Sequence, residues 1–156
     1  MDYVTDYQLL NEQMQELLNT EKWYLSAMSN AAALIWQSMP DINWAGFYIM
    51  HNGKLNIGPF QGKPACIHIA PGKGVCGTAQ AGDRVIVVPD VHQFPGHITC
   101  DPISFAEIVL PIHRKQDGKV KAVLDIDSPV KGRFNEKDEE ELIKFVRLLE
   151  KDLLWE

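Results

Sequence analysis

Residues Ala106–Asp127 read AEIVLPIHRKQDGKVKAVLDID, two apolar, β-branched runs on either side of Asp117-Gly118. Asp-Gly between such runs is a strong hairpin signal, because both residues accept the left-handed backbone of a tight turn. The two arms therefore pair antiparallel, which makes the surrounding sheet antiparallel. Upstream, Asn43–Met50 (NWAGFYIM), the turn His51-Asn52-Gly53 and Lys54–Phe60 form a second hairpin. Ala65–Ala70 and Arg84–Val88 add two short strands, and Pro89–Phe105 has no periodicity and reads as a long loop. Loops of that length in compact domains tend to carry function.

Helices occupy the two ends. Tyr7, Leu10, Met14, Leu17 and Leu18 recur at helical spacing, with Asn19-Thr20 as a break and N-cap for a second helix over Glu21–Ser38. Asn135 is the expected N-cap of the last helix, whose core stripe is Leu142, Ile143, Val146, Leu149 and Leu153. These elements predict one α+β domain over residues 1–156, a central antiparallel sheet with the N- and C-terminal helices packed on one face.

Composition narrows the function classes. Of 156 residues, 46% are hydrophobic and 23% charged, and Lys+Arg 15 against Asp+Glu 21 leaves a net charge of −6. That is a folded chain without the basic patch that nucleic-acid binding needs. No apolar run approaches the ~20 residues of a membrane span. The acidic opening Met-Asp-Tyr-Val-Thr-Asp is unlike a secretory leader, so the expected location is cytoplasmic. Three cysteines, Cys66, Cys76 and Cys100, do not make the even set of a secreted disulfide framework.

Gly72-Lys73-Gly74-Val75-Cys76-Gly77 matches G-x-G-x-x-G, follows a strand and opens a helix. A dinucleotide fold uses that pattern, yet the helix has barely two turns before Gly82 and its neighbours are antiparallel. The expectation is a tight strand-to-helix turn, with helix-start amides able to hold a small carboxylate. Metal ligation is not expected: Cys66 with His68, and His92, His97 and Cys100 in the loop, lack paired zinc-ligand spacing. No G-x-S-x-G elbow is present for a serine nucleophile.

The carboxylates are more informative. In Val123-Leu124-Asp125-Ile126-Asp127 the two aspartates leave one face of a strand, while Leu124 and Ile126 leave the other. Glu107 joins them only in the right register. A two-residue Asp117-Gly118 loop pairs Glu107 with Ser128 and sends it to the opposite face; a three-residue loop with a bulge shifts pairing by one and gathers all three acids. The bulged register is expected. Such a cluster suits a cationic ligand group, or an acid kept protonated by its neighbours. Trp44 and Tyr48, four residues apart on one strand face, would wall the same space, although core packing explains them equally well. Cys76 lies in the first turn of the short helix, where the macrodipole favours a thiolate. Asp101 opposes ionisation of Cys100. Thiols beside an acid-lined pocket suit attack on an electrophilic sulfur or oxygen centre, followed by disulfide closure.

Taken together, Trp44-Ala45-Gly46-Phe47-Tyr48, Gly58-Pro59-Phe60-Gln61-Gly62, the glycine turn through Gly77, Asp90-Val91-His92, Gly96-His97-Ile98-Thr99-Cys100-Asp101, Glu107-Ile108-Val109-Leu110-Pro111 and Val123–Ser128 resemble the free methionine-R-sulfoxide reductases. The similarity spans about three quarters of the chain, and all three cysteines fall where that family has them. It implies a single GAF fold and thiol-dependent reduction of free L-methionine (R)-S-oxide, recycled by thioredoxin, with no cofactor and no metal. By that resemblance Cys100 is the nucleophile, Cys66 the resolving thiol that closes a Cys66–Cys100 disulfide, and Cys76 an auxiliary thiol or alternative nucleophile. Glu107, Asp125 and Asp127 bind the amine and the sulfoxide oxygen, and Trp44 and Tyr48 pack around the methyl end. The alternative is a non-catalytic GAF module that senses a small molecule or redox state. Whether the chain forms a homodimer is left open.

Overall fold

The computed structural model describes residues 4–97 and 101–156. Two helices, α1 (Tyr7–Thr20) and α2 (Tyr24–Ser38), precede the strands β1 (Trp44–His51), β2 (Lys54–Gly62) and β3 (His68–Ile69). Helix α3 (Gly74–Gly82) leads to β4 (Ile86–Val88), a single 3-10 turn (Val91–Gln93), β5 (Ala106–His113), β6 (Val120–Ser128) and α4 (Glu136–Asp152). The six strands form one sheet in the order β3-β2-β1-β6-β5-β4, antiparallel throughout.

The period of two along the strands gives each sheet face its own cover. Phe47, Ile108, Leu110, Leu124 and Ile126 pack with Leu10, Met14, Leu18, Met28, Ile35, Leu142 and Phe145, so α1, α2 and α4 lie on one face as expected. Trp44, Tyr48, Val109 and Val123 turn the other way and meet Val75, Cys76 and Ala79 of α3. The short helix therefore shields the face that carries the acids. No helix among the described residues is long and apolar enough to cross a membrane.

Local signals account for most boundaries. Asn135 caps α4 through a reciprocal pair: its side chain accepts from the Asp138 amide, while the Asp138 carboxylate accepts from the Asn135 amide. The expected cap between the first two helices is absent. Thr20 spends its hydroxyl on the carbonyl of Glu16, and α2 starts only at Tyr24, after Glu21 has accepted the Trp23 amide. The strand expected over Ala65–Ala70 shrinks to His68–Ile69, and the one over Arg84–Val88 to Ile86–Val88. Cys66 consequently sits in irregular chain rather than on a strand.

The β5–β6 register is the one that gathers the acids, reached by a slightly different route. Glu107 pairs with Asp127 and Val109 with Asp125, as the one-residue shift requires. The turn itself is longer than three residues, since the Arg114 amide donates to the Lys119 carbonyl and the Gly118 amide to the Arg114 carbonyl. The register shift falls between Ile112 and His113, at the hairpin end. A bulge inserts one residue and moves every later side chain to the other face.

Candidate active site

Strand register builds the site row by row. Trp44 is opposite Asp127 across β1–β6, and Asp127 is opposite Glu107 across β6–β5. The next row on the same face is Gly46, Asp125 and Val109. Directly opposed side chains in an antiparallel pair stand roughly 4.5–5.5 Å apart at Cβ, so the three acids crowd into one patch. Glu107 and Asp125 are buried, and Asp127 is partly open to the cavity. Helix α3 closes the patch from above and brings Cys76 to it: Cys76 Sγ and carboxylate oxygens of Glu107 and Asp125 lie within 4.8 Å of one another.

All three acids line one pocket, together with Trp44, Tyr48 and Cys76. Its cavity is about 50 Å³, several times the ~10–15 Å³ that a single water needs. The room is for a small, closely fitted occupant. Tyr48 and Trp44 stack at 5.8 Å between ring centroids, and Phe60 continues the stack at 5.2 Å from Trp44. The indole Nε1 donates to the Lys63 carbonyl at 3.1 Å, and the Tyr48 hydroxyl donates to the Cys66 carbonyl at 3.0 Å. Both aromatics are thus locked as a wall rather than free to swing.

Gly46 is required by this wall. A Cβ there would stand 2.3 Å from Phe60 Cβ and 2.7 Å from its Cα, so β2 can cross close over β1 only with glycine at that point. On the opposite side, Gly72 and Gly74 both have positive φ, and a Cβ on Gly77 would meet the Ala70 carbonyl at 2.6 Å. The glycine pattern makes a compact turn into α3. No side chain caps that helix, and Lys73, Gly74 and Val75 at its start line the pocket.

Electrostatics in the patch all run one way. Burial, and then the charge of Asp125, push the Glu107 carboxyl well above the usual carboxylate range. Burial and Asp127 do the same to Asp125, and burial and Glu107 to Asp127. Like charges in a desolvated space cannot all ionise together, so protons are retained among them. The Cys76 thiol is driven up by burial first, then by Asp125, Glu107 and Asp127. The thiolate expected at a helix start is therefore overridden: the macrodipole effect is smaller than the cost of a buried anion beside three acids.

The remaining sequence-derived residues divide. Cys66 is disulfide-bonded, and Cys76 is a buried free thiol. Cys100 lies outside the described residues, and so does the pairing expected for it. Two of the histidines weighed as metal ligands are engaged elsewhere: His68 with the Asn56 side chain at 2.8 Å, His92 with Asp90 at 3.0 Å. His97 lines the pocket. Pattern reading missed Asn43, whose amide nitrogen donates to Asp101 at 3.2 Å and Ser104 at 2.9 Å. It ties the chain just before β5 to the start of β1. No one-residue signal marks it, since its partners lie about 60 positions away.

Comparison with known proteins now gives this pocket its context. The GAF domain model matches residues 12–153. The free methionine-R-sulfoxide reductase of Escherichia coli K12 is 48% identical over 147 residues, covering 94% of this chain and 88% of that protein. The chain belongs to the free methionine-R-sulfoxide reductase family of GAF-domain proteins. Among solved structures, the Staphylococcus aureus fRMsr in complex with substrate superposes with a TM-score of 0.92 at 46% identity, covering 99% of each chain. The free methionine-R-sulfoxide reductase of Neisseria meningitidis with its substrate gives 0.90 at 34% identity, covering 97% of this chain and 93% of that one. The antiparallel sheet with helices on both faces is thus the fold of those reductases.

Proposed function

We propose that this protein reduces free L-methionine (R)-S-oxide to L-methionine, with thiols as the electron source. The observation that carries the reading is the convergence of Glu107, Asp125 and Asp127 on one small pocket walled by Trp44 and Tyr48. An unblocked amino acid brings an ammonium to acids that have no cation in contact: among the described residues none of the three is in an ion pair. The amides at the start of α3 suit its carboxylate, and the aromatic wall suits its methyl end. A methionine sulfoxide within a peptide offers neither charge, and leaving the acids unpaired is costly.

In the proposed reaction the Cys100 thiolate attacks the sulfoxide sulfur while one of the protonated acids donates to the oxygen. The oxygen passes to the cysteine as a sulfenic acid and methionine leaves. Acid assistance of this kind contributes ~10²–10⁴-fold. The Cys66 thiol then displaces water from the sulfenic sulfur, forming a disulfide, and a thioredoxin dithiol returns both cysteines to thiols. One sulfoxide and two thiols become one sulfide, one disulfide and one water. Cys76, held protonated by burial, is assigned no step as nucleophile.

The test is direct. Incubated with dithiothreitol and each epimer separately, the protein should yield methionine from the free R epimer and none from the S epimer or from an N-acetylated peptide. Failure to form methionine from either free epimer would overturn the reading.

A further inference from the structure

The acid patch that serves the proposed sulfoxide chemistry also holds a thiol, Cys76, to which that chemistry gives no step. Cys76 Sγ, from the first turn of α3, meets carboxylate oxygens from β5 and β6 with all three donor atoms within 4.8 Å. Three rigid elements hold them, so their convergence does not depend on a loop. A second observation points to a ligand: Asp125 Oδ1 has no hydrogen-bond partner although the residue is only 5% exposed. A buried carboxylate oxygen without a partner is costly unless something electropositive fills the space beside it, either a proton shared within the cluster or a cation that replaces it.

We propose that Cys76, Glu107 and Asp125 form a site for a thiophilic divalent cation of the Zn²⁺ type, inside the pocket, so that cation and amino-acid substrate exclude one another. One sulfur and two carboxylate oxygens favour a borderline-soft ion over Mg²⁺ or Ca²⁺, which take oxygen alone. Such an ion holds sulfur at about 2.3 Å and oxygen at about 2.0–2.2 Å, so side-chain torsions set the final donor spacing. On ligation the Cys76 proton and any proton held on Glu107 or Asp125 pass to solvent, and the freed sulfur and oxygen pairs go to the ion. Cys76, Glu107, Asp125 and Asp127 all line the same cavity, which leaves room for a further ligand. The cation would supply the positive charge that a substrate ammonium otherwise brings. The exclusion between the two rests on the proposed substrate reading; the cation site itself does not.

The variant Cys66→Ser/Cys100→Ser leaves Cys76 as the single thiol, and Co²⁺ is the probe. Titration should raise a sulfur-to-cobalt charge-transfer band with the intense visible bands of four-coordinate cobalt, saturating at one equivalent and bleached by Zn²⁺. Adding Cys76→Ser should remove the charge-transfer band, and Asp125→Asn in the single-thiol background should weaken cobalt binding at least tenfold. Free L-methionine (R)-S-oxide should raise the apparent cobalt Kd in proportion to its concentration. Absence of the band from the folded single-thiol variant, or its persistence without Cys76, would overturn the cation site even if the wild type turns over the R epimer. A band that responds to zinc but not to the sulfoxide would overturn the shared pocket and leave the cation site standing.

Discussion

At the residue scale, Asp125 shows how one side chain is placed by register and made unusual by burial. It stands between Gly46 and Val109 on the acid face, and burial keeps its carboxyl well above the ordinary range. Asp125→Asn keeps the shape and removes the possible charge. The expected outcome is a fall in kcat/KM for the free R epimer of about 10–100-fold, matching the ~1.5–3 kcal/mol of a hydrogen bond to a charged group. Thermal melting should stay level or rise, because a source of like-charge repulsion is gone. Steady-state kinetics beside a melting curve separates the two effects. Sequence alone identified the alternation that places Asp125 and Asp127 together, but not the protonation of Cys76, which depends on neighbours about 30–50 residues away.

At the element scale, close approach and capping decide stability. Gly46→Ala would drive a methyl into the Cβ and backbone of Phe60, displacing β2 from β1 and breaking the Trp44–Phe60 stack. Overpacking of this kind costs about 1–3 kcal/mol, readable as a lower urea midpoint, and KM should rise because the aromatic wall moves. Asn135→Ala tests the other kind of determinant. It removes one half of the α4 capping pair and should cost about 0.5–2 kcal/mol, with kcat and KM unchanged because α4 lies on the opposite sheet face from the pocket. Asn135 was legible as a cap from its neighbours in the chain. The need for glycine at 46 was not, because the clashing atom belongs to a partner strand fourteen residues on. Nor was the β5–β6 register fully legible: two loop lengths satisfied the same Asp117-Gly118 signal, and they differ in which face receives Glu107.

At the scale of the whole molecule, His113 ties three elements together. Its ring nitrogens face Glu150 of α4 and Asp83 at the C-terminal end of α3, the latter at 2.6 Å. Burial alone would lower the His113 pKa, but hydrogen bonds to Asp83 and Glu150 more than offset it, and the net direction is upward. The imidazolium is thus favoured in the folded state. Its stabilisation is fully present below the unfolded histidine pKa of about 6.5, and is lost as pH rises through the higher folded value. Urea unfolding of wild type and His113→Gln should therefore differ most at mildly acid pH and converge in the alkaline range. A gap that widens with pH would contradict the assignment.

Local chemistry in the chain was enough to determine the antiparallel sheet, its terminal helices and the face shared by Asp125 and Asp127. Hairpin turns, capping residues and the alternation of strands act over a few neighbouring residues. Tertiary structure fixed the expected register with Glu107 opposite Asp127, and it alone decided that α3 lowers Cys76 onto the acids and that the thiol stays protonated there. Each of those outcomes depends on how deeply distant side chains are withdrawn from water together, and desolvation is a property of the assembled surroundings rather than of any segment.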